Sequence, residues 1–390
     1  MKLSQRASGL QSSLIRKVAE EGMKMDDIIP LWFGEGCWPT SQIAVDAASH
    51  ALAAGNHFYQ PNNGSETLRQ EIICYLEQVF SYHATLPQIT VTASGMQGLA
   101  LTAQAIATPG DKVVCVGPVW PNLYETFRIS GADITMHALD VRHGCWTLDM
   151  SKLCEALTPD TRAVLINSPN NPTGWVMNAE DQNILLNHCR KHGIWLIADD
   201  VYARLCRGAD HAPSFLSIAE SEDRLISVNS FSKSWSMTGW RLGWVTTPPA
   251  LEAPLAKLTE FNIACPAGFV QAAGTAMLRN GEQEVKRLQK RVEAGFDIVK
   301  ERLLGIDGVS FIQPDGAFYS FFLIDGVTDS LEFSRSLLHH AKVGLAPGRA
   351  FGLEGEGHLR LCYAQEPNVL IRAFDRLEDW FSVARNAQRQ

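Results

Sequence analysis

Short, mainly apolar runs of strand length recur along the chain, at 89–92, 112–116, 163–166, 194–198, 225–228 and 242–245. Most are separated by longer segments whose apolar residues return at helical spacing, as in 179–191. A strand buried on both faces reads as a continuous hydrophobic run, and parallel neighbours need a crossover, usually a helix. The pattern predicts a three-layer α/β/α large domain around a mainly parallel sheet, spanning 46–281. Beyond it, 282–304 reads as a long amphipathic helix. A glycine-punctuated strand follows at 316–323, then a helix at 331–341, a strand at 359–363 and a closing helix from Pro367. These make a smaller α+β unit. The first 25 residues read as helical without a sheet of their own, so residues 1–45 are expected to join 282–390 in one discontinuous small domain.

Composition narrows the class. A length of 390 residues suits two to three domains, and 46% hydrophobic with 19% charged residues is ordinary for a globular protein. No repeat or low-complexity stretch points to a solenoid, propeller or tethered module. A net charge of -8 offers no basic footprint, so neither nucleic acid nor an anionic membrane is an expected partner. No run approaches the roughly 18 apolar residues of a membrane span, and residues 1–20 lack an apolar leader. Nine scattered cysteines, without a CxxC pair, suit a reducing compartment, and the expected location is cytoplasmic. Cys37 and Cys265 are expected to be buried, unreactive thiols.

In open parallel sheets, ligands bind beyond the carboxyl ends of the strands. The first run leads into Ala93-Ser94-Gly95-Met96-Gln97 and a helix, which is either a phosphate site at a helix N-terminus or an ordinary glycine-containing turn. The second leads to Pro118-Val119-Trp120, an aromatic that could cover a flat ring or simply pack in the core. The third ends in Asn167-Ser168-Pro169-Asn170-Asn171-Pro172-Thr173-Gly174, a turn rich in side-chain donors or a plain loop. The fourth ends in Asp199, a carboxylate that needs a cationic partner if buried, or serves as a helix cap. The fifth leads to Asn229-Ser230-Phe231-Ser232-Lys233, with Arg241 eight residues on. A lysine among apolar neighbours is a candidate Schiff-base former, because desolvation makes its neutral amine available, whereas an isolated lysine would be a surface residue.

Taken in order, these strings resemble the class I/II pyridoxal-phosphate aminotransferases, the aspartate aminotransferase superfamily of fold type I. The resemblance runs from Leu31-Trp32-Phe33-Gly34-Glu35 through Tyr59-Gln60-Pro61-Asn62-Asn63-Gly64 and Asn171-Pro172-Thr173-Gly174 to His358-Leu359-Arg360-Leu361-Cys362-Tyr363-Ala364. It implies a transaminase that moves the amino group of an L-amino acid to a 2-oxo acid such as 2-oxoglutarate by a ping-pong mechanism, with pyridoxal 5'-phosphate as cofactor. In that resemblance Lys233 anchors the cofactor and acts as general base, and Asp199 holds the protonated ring nitrogen. Asn171 and Tyr202 bond the ring oxygen, and Trp120 stacks on the ring. Gly95, Met96, Ser230 and Arg241, with Ser232 as helper, hold the phosphate. Tyr59 reaches the same phosphate from a neighbouring subunit, which implies a homodimer with shared active sites. Arg360 binds the substrate carboxylate, with Gly34 and Asn171 beside it.

The chain also departs from the family pattern. Gly34-Glu35-Gly36-Cys37-Trp38 stands where much of the family carries Gly-Glu-Pro-Asp-Phe, which makes Trp38 a candidate substrate contact. The segment 261–266 carries no arginine, and with Trp38 this leans toward a neutral or aromatic amino donor. The same scaffold also supports β-lyases and decarboxylases, which is the alternative reading. Ser230-Phe231-Ser232-Lys233 fits the S-x-x-K pattern of serine acyl-enzymes, but the accompanying Ser-Asp-Asn and Lys-Thr-Gly strings are absent. So are HExxH, Walker A and GxSxG.

Overall fold

The computed structural model describes residues 8–388, with side chains to residue 383, so residues 1–7 of the expected N-terminal helical stretch lie outside the described residues. Seven strands form the central sheet: β1 (Ile89–Thr92), β2 (Lys112–Gly117), β3 (Asp133–Ala138), β4 (Thr161–Asn167), β5 (Trp195–Asp199), β6 (Leu225–Ser230) and β7 (Gly243–Thr246). Their spatial order is β1-β7-β6-β5-β4-β2-β3. Every pair is parallel except those made by β7, which runs antiparallel to β1 and β6. The fold is therefore α/β with a mainly parallel sheet, as the apolar runs predict.

Alternate residues supply the two faces. Val114, Val116, Val164, Ile166 and Leu196 pack into one core, whereas Val113, Cys115, Ala163, Leu165 and Ile197 pack into another on the opposite side. Fully burying each such aliphatic side chain contributes about 1.5–3 kcal/mol, so the centre of the sheet is strongly held. The edge strand β3 was not expected from the sequence. Its residues alternate between exposed and partly buried, so Asp133-Ile134-Thr135-Met136-His137-Ala138 contains no continuous apolar run. A small hairpin, Asp140–Arg142 with Cys145–Thr147, was likewise unexpected.

A four-stranded antiparallel sheet follows, ordered Val309–Ser310, β8 (Tyr319–Ile324), β9 (His358–Cys362) and Ala346–Pro347. The helix Glu282–Leu304 lies against the closing helix Pro367–Gln388, burying Val285, Leu288, Val292, Phe296, Val299 and Leu303 at spacings of three to four residues. The N-terminal helix α1 (Leu14–Gly22) packs on Ser330–His340, where Glu21 accepts from Arg335 at 3.1 Å and His339 at 2.6 Å. Helix Gln42–Ala53 lies along Gly268–Asn280, so a dividing point at residue 46 falls within a helix.

The segment after α1 connects the two sheets. Ile29–Pro30 pairs in parallel with Val343–Gly344, and Leu31 accepts from the Cys362 amide through its carbonyl at 3.0 Å. Residues 32–34 are thereby held between β9 and the carboxyl edge of the central sheet.

Candidate active site

At that edge lies a cavity of about 350 Å³, lined by residues that follow β1, β2, β4, β5 and β6 and by Tyr319 and Arg360 of the smaller sheet. It brings together Gly34, Gly95, Met96, Trp120, Asn171, Asp199, Tyr202, Ser230, Ser232, Lys233, Arg241 and Arg360.

Each is positioned by local chemistry. After β1 the chain turns sharply through Ser94, at φ 107°, into helix α2 (Gly95–Ile106). Ser94 caps the helix by accepting from the Gln97 amide at 3.2 Å, while the Gln97 side chain accepts from the Ala93 amide at 2.6 Å. The first amides of α2 thus face the cavity. Gly243 is required beside them, because a Cβ there would stand 2.7 Å from Gly95 N and from the Asn229 carbonyl oxygen. Past β6, Ser230 caps the short helical turn Phe231–Ser234 that carries Lys233, accepting from the Ser232 amide at 3.1 Å; its hydroxyl also lies 2.9 Å from that of Ser232. Arg241 has left-handed backbone, φ 54°, and its guanidinium donates to the Thr238 carbonyl at 2.6 Å.

A second set of bonds joins the two sheets. Arg360, 2% exposed on β9, donates to Asn171 Oδ1 at 2.8 Å and to the Trp32 carbonyl, while its Nε has no partner among the described residues. Asn171 is held in turn by its amide donating to Asn167 Oδ1 at 2.8 Å, and Asn167 donates to the Asp199 carbonyl at 3.0 Å. Lys233 Nζ donates to the Gly34 carbonyl at 2.5 Å. The hydroxyls of Tyr202 and Tyr319 lie 2.7 Å apart.

Burial sets the electrostatics. The Asp199 carboxyl is pushed up to about 7 by desolvation, reinforced by the neighbouring Asp200 charge, and its hydrogen bond from the Val201 amide is long at 3.4 Å. Asp200 is pushed up to about 6 by desolvation, against the hydrogen bond it accepts from Ser227 at 2.6 Å. Lys233 is drawn down to about 8, mainly by desolvation. Burial also raises the Tyr202 and Tyr319 phenols and the Cys362 thiol. The cavity therefore joins a partly neutral amine, a buried carboxylate without a cationic hydrogen-bond partner among the described residues and a fixed guanidinium, the ingredients for binding and deprotonating an anionic amine substrate.

The family model for aminotransferase class I and II matches residues 27–377. The chain belongs to that family. An aspartate aminotransferase of Pyrococcus horikoshii is 32% identical over 380 residues, covering 96% of each chain. Aromatic-amino-acid aminotransferase 2 of Thermococcus litoralis is 30% identical over 386 residues, covering 97% of this chain and 98% of the relative. The structure of Thermus thermophilus aspartate aminotransferase with maleate superposes with a TM-score of 0.89 at 28% identity, over 97% of this chain and 99% of that one. This aminotransferase is an enzyme that transfers amino groups between amino acids and oxo acids, and lyase or decarboxylase activity is not favoured.

Two candidate residues of the aminotransferase lie outside the cavity. Tyr59 is 88% exposed, next to Phe58, near Cys265 and Phe269. Trp38 is buried but turned away, its indole donating to Glu366 at 2.5 Å with Arg291 over its ring. The expected burial of two thiols is also corrected. Cys37 is exposed, on the surface loop where its amide donates to the Ala364 carbonyl, and Cys265 is half-buried beside the Gln60 amide. Partial desolvation nevertheless raises the Cys37 thiol. Conversely, Ser13, Ile15, Arg16, Phe33, Asn122 and Tyr319 line the cavity without having been singled out. Tyr319 sits in the Gly316-Ala317-Phe318-Tyr319 string that leads into β8, and a tyrosine just after a glycine at the start of a buried strand was the available signal.

Proposed function

We propose that this aminotransferase holds pyridoxal 5'-phosphate in the cavity through Lys233 and passes an amino group from an L-amino acid to a 2-oxo acid such as 2-oxoglutarate. The observation that carries the reading is Lys233 itself, an amine drawn to about 8 and aimed at the Gly34 carbonyl in the same cavity as buried Asp199 and Arg360. The donor set fits this cofactor. Asp199 is a buried carboxylate with no cationic hydrogen-bond partner among the described residues, a deficit that a protonated ring nitrogen would complete. The amides that open α2, the hydroxyls of Ser230 and Ser232 and the Arg241 guanidinium suit a phosphate. Trp120 would lie against the ring, and Tyr202 and Asn171 would meet its oxygen. When bound, the cofactor supplies a carbonyl carbon for the amine and an aromatic electron sink.

The remaining work belongs to side chains of the protein. Arg360 grips the substrate carboxylate, held in place by Asn171 and the Trp32 carbonyl, and so orients the Cα–H bond toward Lys233. Lys233 Nζ, partly neutral near neutral pH, takes the Cα proton and carries it onward. Asp199 keeps a proton on the ring nitrogen. Ile15, Phe33, Met96 and Leu99 are apolar lining residues of the cavity that suit a neutral or aromatic side chain, whereas Trp38 no longer supports that lean because it faces Glu366. Arg16 on the same cavity's rim suits the distal carboxylate of 2-oxoglutarate.

In this reading the cofactor-bearing unit starts near residue 42 and ends near 281, and the flanking segments form the small unit. Exposed Phe58, Tyr59 and Phe261 suit a homodimer interface from which Tyr59 reaches the partner's phosphate site. Nine free cysteines suit a cytoplasmic setting.

The test is the absorption spectrum of the protein reconstituted with pyridoxal phosphate, alone and with single amino acids in the absence of acceptor. A visible band lost on adding some donors, together with borohydride-fixed cofactor on the peptide carrying Lys233, is the expected result. Attachment to any other residue, or release of ammonia or carbon dioxide in place of conversion, overturns the reading.

A further inference from the structure

We infer that Tyr319 is a positioning residue of this site: its hydroxyl sets the Tyr202 hydroxyl as a donor into the cavity, and its ring supports the Arg360 guanidinium. The inference rests on the roles proposed above for Tyr202 and Arg360. Tyr319 is fully buried at the start of β8, paired in register with Cys362 on the strand that carries Arg360. Three contacts meet on this one side chain. Its hydroxyl lies 2.7 Å from that of Tyr202, and the Arg360 guanidinium carbon lies 4.6 Å from its ring centroid. The same hydroxyl packs on the backbone of Gly34, where an added Cβ would stand 2.1 Å away, and the Gly34 carbonyl is the acceptor for Lys233.

Between two buried phenols at this distance only one proton can lie on the shared axis. If Tyr319 donates, the Tyr202 oxygen is satisfied as an acceptor and its own proton must point elsewhere, into the cavity that both residues line. The role proposed for Tyr202, donating to the ring oxygen, requires that polarity, and burial raises both phenols so that each keeps its proton. A stronger Tyr202 donor stabilises a negative ring oxygen and so lowers the pH at which the lysine-bound cofactor loses its proton. The ring has a separate task. The Arg360 guanidinium, with Nε unpartnered, is flanked by the Tyr319 ring and by that of Phe351 at 4.9 Å, which limits its plane to orientations that can present two parallel N–H groups.

The two tasks separate in two variants. Tyr319→Phe keeps the ring and removes the hydroxyl. The pH midpoint of the visible band should rise by about half a unit or more, with KM for the amino acid within about two-fold of wild type. Tyr319→Leu should show the same spectral shift and in addition raise KM by roughly 3–30-fold through loss of the cation–π support. Tyr202→Phe is the control for the underlying reading, and if it leaves the midpoint unmoved, the role of Tyr202 fails rather than that of Tyr319. With Tyr202→Phe shifting the midpoint, Tyr202→Phe/Tyr319→Phe should shift it no further, because Tyr319 acts through Tyr202. Additive shifts, or Tyr319 variants that only lower thermal stability, overturn the inference.

Discussion

At the scale of single residues, the site is a small number of buried ionisable groups whose partners are incomplete among the described residues. Arg360 spends two N–H groups on Asn171 and Trp32 and retains others for a carboxylate. Charged hydrogen bonds contribute about 1.5–3 kcal/mol each, so Arg360→Ala should lower kcat/KM by about 10–100-fold or more in steady-state assays. Arg360→Lys should not restore it, since an ammonium lacks the planar fork, and near-wild-type kcat/KM in that variant would remove Arg360 from the mechanism. Asp199 and Asp200 make a second prediction, about pH. Folded, they keep their protons up to about 7 and about 6, whereas unfolded aspartates lose them near 4. Between those limits the folded state binds more protons, so the stability of the cofactor-free protein should fall as pH rises from about 4 to about 7. Lys233 acts with the opposite sign: its folded value near 8 lies below the unfolded one, so its share of stability grows as pH rises from about 8 to about 10. Thermal midpoints of apoprotein across this range test both signs. Asp199→Asn should flatten the acid-side slope, and an unchanged slope would refute the assignment to Asp199.

At the scale of elements, the site depends on segments that approach closer than side chains allow. Gly34 is the sharpest case, because the Tyr319 hydroxyl occupies the place of its missing Cβ. Gly34→Ala must displace either β8 or residues 32–34, which hold the acceptor for Lys233 and the Trp32 acceptor for Arg360. Overpacking of this kind costs about 1–3 kcal/mol. The expected outcome is a lower melting temperature together with a lower kcat/KM, and normal values for both would mean that the segment is freer than its contacts indicate. This scale also separates what was legible in the sequence from what was not. Strands β1, β2, β4, β5 and β6 were visible because double-sided burial leaves short, mainly apolar runs, and the residues after them were visible because ligands collect at carboxyl ends. Strand β3 was hidden because an edge strand keeps polar positions. Phe33 and Arg16 reach the cavity only through tertiary packing of the smaller sheet and α1, which no local pattern announces, and the string before Tyr319 marks a strand start without saying what it faces. Trp38 illustrates the converse: Phe33 and Gly34 line the cavity just before it in sequence, yet Glu366, 328 residues away, captures its indole.

At the scale of the whole molecule, the chain closes on itself across the cavity, with Ile29–Pro30 pairing with Val343–Gly344, Leu31 bonding to β9 and Gly34 accepting from Lys233. One part of the proposed site still points outward. Tyr59 and Phe58, 88% and 74% exposed, share a surface cleft with Phe269, and such an apolar surface around a would-be phosphate ligand is explained if a second copy covers it. The arrangement makes an asymmetric prediction. Lys233→Ala disables the site in its own subunit, whereas Tyr59→Phe weakens phosphate binding in the partner's site. In a hybrid of the two variants, one site carries both defects and the other carries neither. Random reassortment of equal amounts makes half the dimers hybrids, so about a quarter of all sites become wild type. Mixing the two proteins, dissociating and reassembling them should therefore restore about a quarter of wild-type activity at limiting cofactor, where each parent alone is nearly silent. Activity that stays at the average of the two parents after demonstrated subunit exchange would place Tyr59 in its own subunit's chemistry, or in none.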